Sequence, residues 1–137
     1  WQEWAHAQEV AVGAAERRGD RLDLARARRL LANAYSNLRR YDDARAQLAF
    51  ALDDFETLGD ADGMAHVHFD IALLHDRAGE PADALLHAEQ ALRAYRAVPY
   101  PLGEAVALNA VGWYHAQIGE LAEALACCEQ SLELGVE

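Results

Sequence analysis

Apolar residues recur along this chain at the spacing of one helix face, and the breaks between these runs are regular. Leu31, Ala34, Tyr35 and Leu38 follow the i, i+3, i+4, i+7 pattern, which is typical of an amphipathic helix. We see no run with the alternation of a strand. The pattern predicts about seven helices, over residues 2–18, 22–38, 41–57, 62–78, 81–97, 102–118 and 121–134.

Glycine, proline and aspartate mark the ends of these segments. Gly79 and Gly119 fit the left-handed position that follows a helix. Pro81 fits the first helical turn, where its missing N–H costs nothing, and Asp60 can cap the helix that follows Gly59. Because the predicted loops are short, successive helices must run antiparallel.

The chain repeats itself. The segment GEPADALLHAEQAL at 79–92 returns as GELAEALACCEQSL at 119–132, 40 residues later, with eight of fourteen positions identical. One more shift aligns Ala44 with Ala84 and Ala124. Such a period indicates stacked helix pairs that bury their apolar faces against each other. We therefore predict an all-α protein, an α-solenoid of antiparallel helix pairs, with a second helix of a truncated repeat over 1–20 and repeats over 21–60, 61–100 and 101–137.

Charge narrows the choice of partners. The net charge is −11, which argues against a nucleic-acid-binding surface, since such a surface must neutralise phosphates. No apolar run approaches the ~20 residues that span a membrane. The adjacent Cys127 and Cys128 do not make a disulfide framework or a zinc site. We expect both thiols to face the helix packing, and we expect a reducing, cytoplasmic setting.

Catalytic motifs are missing from the sequence. There is no glycine-rich phosphate loop, nucleophile elbow or converging acid–base pair. His66 and Asp70 lie one helical turn apart, but two ligands make at best a weak metal site. We predict no enzymatic activity, no cofactor and no metal.

The repeated positions resemble the tetratricopeptide repeat, whose first helix carries a large, a small and an aromatic residue and whose second helix begins its packing face with a small one. The period of 40 exceeds that family's usual ~34. This long variety is similar to repeats of multidomain bacterial transcription regulators, including antibiotic regulatory activators and signal-transduction ATPases. The positions that carry the resemblance are Leu31, Ala32, Tyr35 and Ala44, then Ile71, Ala72, His75 and Ala84, then Val111, Gly112, His115 and Ala124.

The resemblance implies a right-handed superhelix whose first helices line a concave groove for a peptide or a partner domain. Arginine there would pair with carboxylates, asparagine would hold a peptide backbone, and exposed aromatic residues are frequent interface hot spots. The groove positions are Arg26, Arg29, Asn33, His66, Phe69, Leu73, Asn109 and Trp113.

Other interpretations stay open. Phe69 and Trp113 can instead cover neighbouring helices. The array can be a sensory solenoid for a small ligand or signalling peptide, or a structural spacer. A clamp for the carboxyl-terminal tails of chaperones is disfavoured, because Asp70, Val106 and Ala110 stand where that clamp needs Asn or basic residues. The chain begins at Trp1 and shows no polar capping helix. We therefore expect a piece of a longer array, with self-association through its open ends.

Overall fold

Seven helices account for nearly all of the chain in a computed structural model, which describes residues 1–98 and 100–134. Each helix lies within one residue of its predicted bounds, and no strand occurs in these ranges. The helices are α1 (Gln2–Arg18), α2 (Arg21–Asn37), α3 (Tyr41–Leu58), α4 (Ala61–Arg77), α5 (Pro81–Ala97), α6 (Pro101–Gln117) and α7 (Leu121–Glu133).

The helix ends form as the turn residues predict. The Asp60 carboxylate accepts the N–H of Gly63 at 3.0 Å, and Asp20 accepts that of Asp23 at 3.1 Å, so both aspartates satisfy free donors of a first turn. Gly79 has φ 78°, in the left-handed region. Arg39 holds the same position one repeat earlier at φ 61°, where glycine would be less strained.

The helices pack as three antiparallel pairs preceded by one extra helix. α2 pairs with α3, α4 with α5 and α6 with α7, while α1, α3 and α5 each pack against the first helix of the next pair. The chain is therefore an all-α solenoid, as predicted. The division at residues 20, 60 and 100 remains a prediction.

Small residues let the paired helices approach closely. Ala44, Ala72 and Ala84 are fully buried. A Cβ on Gly112 would lie 3.1 Å from the Cβ of Cys127, so α6 and α7 have almost no room for a side chain there. The other predicted packing residues are buried too, except for Ile71, His75 and His115, which are half-buried.

An aromatic ring joins each full repeat to the next. The ring of Phe55, near the end of α3, fills the space where Gly63 would carry a Cβ, and Tyr95 does the same for Gly103. Ala15 stands in the place of these aromatic residues one repeat earlier. The residue 40 positions before Gly63 is Asp23. Because Ala15 carries no ring, this position does not have to be a glycine.

The last helix, α7, has exposed apolar side chains and an exposed thiol. Leu125 and Leu132 on α7 are 61% and 69% exposed. Cys128 is also exposed, which corrects the expectation that both thiols face the packing. Its equivalents Leu48 and Ala88 are buried, because a first helix of the following repeat packs on α3 and on α5.

Replacing Gly63 with alanine should destabilise the joint between α3 and α4. The new Cβ would lie 2.2 Å from Cδ1 of Phe55, whose ring is buried. Overpacking costs about 1–3 kcal/mol, and the better helix propensity of alanine returns about 1 kcal/mol. We expect a net loss of up to about 2 kcal/mol in the free energy of unfolding, measured by urea denaturation.

Gly13→Ala is the matched control, because a Cβ there meets only the end of the Arg17 side chain, at 3.4 Å. That variant should gain stability, by up to about 1 kcal/mol. Equal gains for both glycines would show that the Phe55 ring does not constrain Gly63.

Candidate functional site

We call the outward sides of the first helices α2, α4 and α6 the first-helix face; of these helices, α2 and α4 contact each other directly. Between α2 and α4 this face has a small recess of about 30 Å³, enough for a water molecule or two. Its floor is apolar, with Ala32, Leu48 and Leu74, and its rim is polar. The rim carries Arg29, Asn33 and Ser36 from α2 and Asp70 and Arg77 from α4.

An open groove of about 490 Å³ continues from this recess along the same two helices. Arg26, Arg29, Asn33 and Leu73 line it, and all four were predicted as groove residues. His66 lines an adjoining hollow together with Arg26 and Arg29. The fold therefore brings five of the eight predicted residues together.

An ion pair links the two sides of this groove. Nε of Arg29 on α2 donates to the carboxylate of Asp70 on α4. Both side chains are largely buried, with exposed fractions of 30% for Arg29 and 26% for Asp70. Burial raises the pKa of Asp70 above its ordinary value, and Arg29 opposes that rise. Arg29 thus already has an ion-pair partner, Asp70, inside the groove.

Arg77 forms a second link between repeats. Its Nη1 donates to Ser36 Oγ at 2.9 Å and to Asn33 Oδ1 at 3.3 Å, both on α2. Its carbonyl accepts from the Tyr41 hydroxyl at 3.2 Å. The sequence pattern does not indicate this contact, because it depends on how α4 lies across α2 and α3.

His66 is less available than the sequence indicated. Its Nδ1 lies 2.6 Å from the Tyr95 hydroxyl, and Tyr100 meets the same ring edge-on. Burial lowers the pKa of His66, and the charge of Arg29 adds to that effect. Burial also raises the pKa of Tyr95 to about 12. His66 is thus engaged by Tyr95 and Asp70 by Arg29.

The remaining predicted residues divide into two groups. Phe69 is half-buried and packs against the core of the later repeats, as the alternative interpretation expects. Asn109 and Trp113 are exposed on α6, and Trp113 keeps 59% of its surface accessible. Trp113 therefore covers no neighbouring helix in the described part of the chain.

A row of histidines lies between α4 and α5. The ring of His87 stacks on that of His75 at 5.4 Å and faces that of His68 at 6.0 Å. Burial is the main cause that lowers the pKa of His68 and of His87, and neighbouring histidines add to it for His87. Among the described residues, one cluster can converge on a metal ion, and it consists of His75, Glu80 and Asp83.

Comparison with known families agrees with this architecture. Tetratricopeptide repeat models match residues 23–97 and residues 105–137. The chain belongs to the tetratricopeptide repeat family. Domains of this family generally mediate protein–protein interactions and are typically non-catalytic scaffolds. No curated protein sequence matches the chain.

A solved structure shares the fold. The crystal structure of BtubC (BKLC) from P. vanneervenii is similar, with a TM-score of 0.86 and 20% sequence identity. The match covers 95% of this chain and 54% of BtubC, so this tetratricopeptide repeat chain spans about half the length of that protein. At this identity the likeness establishes the fold alone. Within the described residues no helix is long and apolar enough to cross a membrane.

The histidine row should make the stability of the protein depend on pH. The pKa values of His68 and His87 are lowered in the folded state, while an unfolded histidine titrates near ~6.5. Their contribution to stability is therefore fully present above about pH 6.5 and is lost as pH falls through that value toward the folded pKa values.

The test uses residues from the neighbouring repeats. In His68→Leu/His87→Gln, each replacement is the residue found at the equivalent position, Leu108 and Gln47. With a chelator present, the wild type should lose more of its free energy of unfolding between pH 7.5 and pH 5.5 than this variant loses. The exposed His6 serves as control through His6→Gln. A variant with the wild-type pH dependence would contradict the assignment.

Proposed function

We propose that this chain is a non-catalytic interaction module that binds an acidic, extended segment of a partner protein along its first-helix face. The observation that carries the proposal is the clustering of Arg26, Arg29 and Asn33 opposite Leu73 in one open groove. Forked arginine donors suit carboxylates, an asparagine amide suits a peptide backbone, and a half-buried leucine suits an apolar side chain.

The charge of the groove favours an acidic partner. Most arginines of the first repeat are engaged elsewhere, for example Arg28 with Asp54 at 2.7 Å and Arg40 with Asp43 at 2.9 Å. Arg26 makes no ion pair within the described residues, and Arg77 hydrogen-bonds only uncharged groups. Neither guanidinium group thus has an ion-pair partner among the described residues, although Asp70 lines the recess beside Arg77 and Asp60 and Asp62 line the hollow beside Arg26.

Trp113 provides an apolar anchor further along the face. It lies on α6 with Asn109 one turn before it, and both are exposed. Exposed Trp and Arg are the residues most often found at hot spots of binding energy. A segment that crosses α2, α4 and α6 would therefore meet a basic half first and an apolar half second.

The wider setting is also a proposal. We propose that the module belongs to a larger bacterial regulatory protein of the cytoplasm, for which the long repeat and the free thiols of Cys127 and Cys128 are the support. A sensory pocket for a small molecule has less support, because the recess on this face is only about 30 Å³, far below the ~300 Å³ of ligand pockets, and the larger groove of about 490 Å³ is open to solvent.

Removing the basic and apolar anchors together should weaken binding strongly. Peptides are selected on the wild type from a displayed random library, and their Kd values are measured by fluorescence polarisation. The variant Arg26→Glu/Arg29→Glu/Trp113→Ala should bind at least about 30-fold more weakly, since the loss of even one hot spot costs about 2 kcal/mol.

The matched control is Arg17→Glu/Arg93→Glu/Leu86→Ala. It makes the same change of charge and also removes an apolar side chain, at exposed positions on the second helices α1 and α5, and it should bind like the wild type. Circular dichroism verifies that both variants are folded. Equal loss in both variants, or in neither, would contradict binding at the first-helix face.

Releasing Arg29 from its internal partner should strengthen binding of acidic peptides. In Asp70→Asn, Arg29 no longer faces a carboxylate and can pair with the peptide. Ion pairs of this exposure are worth about 0.2–1 kcal/mol, so we expect affinity to rise by up to about 5-fold. The gain should shrink at high salt, because screening weakens the new pair.

Asp53→Asn controls for the change in net charge, since Asp53 is exposed on the second helix α3. It should leave the affinity unchanged within error. A similar gain in both variants would show that bulk charge, and not the release of Arg29, sets the affinity.

A further inference from the structure

The turn between α4 and α5 brings together three side chains that can ligate a metal ion. His75 ends the packing face of α4, Glu80 precedes α5 and Asp83 lies in its first turn. One ligand atom from each lies within 4.8 Å of the others, and Nδ1 of His75 lies 3.4 Å from Oε1 of Glu80. The turn itself is fixed, because Glu80 N–H donates to the His75 carbonyl at 2.8 Å.

In the first repeat, the position equivalent to Glu80 holds a basic residue instead of an acidic one. Tyr35, Arg40 and Asp43 occupy the equivalent places. There the Arg40 guanidinium lies 4.2 Å from the centre of the Tyr35 ring and pairs with Asp43 at 2.9 Å. A cation thus joins the aromatic position to the acid of the next helix. In the second repeat that cation is replaced by a carboxylate, Glu80.

From this comparison we propose that His75, Glu80 and Asp83 bind a divalent transition-metal ion such as Zn²⁺, which takes the structural place of the Arg40 guanidinium. One imidazole and two carboxylates form a ligand set that Zn²⁺ accepts, with a fourth position for water. The inference is independent of the groove, because none of the three residues lines it.

The geometry requires only small side-chain movements. Ligands about 2.1 Å from one ion lie at most about 4.2 Å apart, so the three donor atoms must close slightly. Asp83 is exposed and Glu80 is half-buried, so both can change rotamer. The His75 side chain is only 16% exposed, and the parallel ring of His87 packs against it, so the imidazole is held in place.

One internal competitor faces the site. Nη2 of Arg45 on α3 donates to the same Oε1 of Glu80 at 2.9 Å. A bound ion would displace this contact or would use the second oxygen of Glu80. Removing Arg45 should therefore strengthen metal binding, whereas removing a ligand should weaken it. These opposite directions separate the proposed site from nonspecific binding to an acidic protein.

The test is calorimetric titration of the untagged chain with Zn²⁺, repeated with Co²⁺ for its absorption spectrum. The ligand variants are His75→Tyr, which introduces the residue found at Tyr35, and Asp83→Asn. Each should bind at least about 10-fold more weakly than the wild type, as expected even for loss of a residue that only supports a ligand. Arg45→Ala should bind more tightly.

The third repeat provides the matched control, because His115, Glu120 and Glu123 hold the same positions but do not form a converging group among the described residues. His115→Tyr should bind Zn²⁺ like the wild type. The proposal is overturned if the wild type binds no Zn²⁺ below millimolar concentration. It is also overturned if a folded His75→Tyr keeps wild-type affinity, or if His115→Tyr loses as much.

Discussion

Close approach of helix backbones at small residues is the constraint on which the rest of this structure depends. Ala44 and Ala84 are fully buried in the second helices, and Ala72 is fully buried in a first helix. Larger side chains at these places would push the pairs apart and leave voids, which a packed interior does not tolerate. Gly112 shows the limit, since even a methyl group would crowd Cys127 there.

The stacking of pairs depends on a second, complementary fit. Where the end of a second helix carries a ring, at Phe55 and Tyr95, the next first helix carries a glycine to receive it. Where that ring is absent, at Ala15, the receiving position holds Asp23. The two positions are eight residues apart in the chain and touch across a turn, so their sizes must be matched for the repeats to keep their spacing.

The first-helix face is formed by what this packing leaves outside. Arg29, Asn33 and Leu73 lie on the outward sides of α2 and α4, and the spacing of these helices sets the width of the groove between them. The pair Arg29–Asp70 and the contacts of Arg77 with Asn33 and Ser36 connect neighbouring repeats across it. The polar groups that suit a peptide are thus also groups that hold the two repeats together.

The sequence by itself determined the helices, their order and the small residues that pair them. These features are local or periodic, so Gly79, Pro81 and the recurring alanines are enough to predict them. The resemblance to the tetratricopeptide repeat also pointed to positions on the first helices, of which Arg26, Arg29, Asn33 and Leu73 line one groove while Phe69 packs against the core. The sequence could not show that Asp70 pairs with Arg29, that Tyr95 holds His66 or that Glu80 lies beside His75. Those contacts depend on side-chain directions across two helices, and only the tertiary structure decides them, since no periodicity encodes which of several charged neighbours will meet.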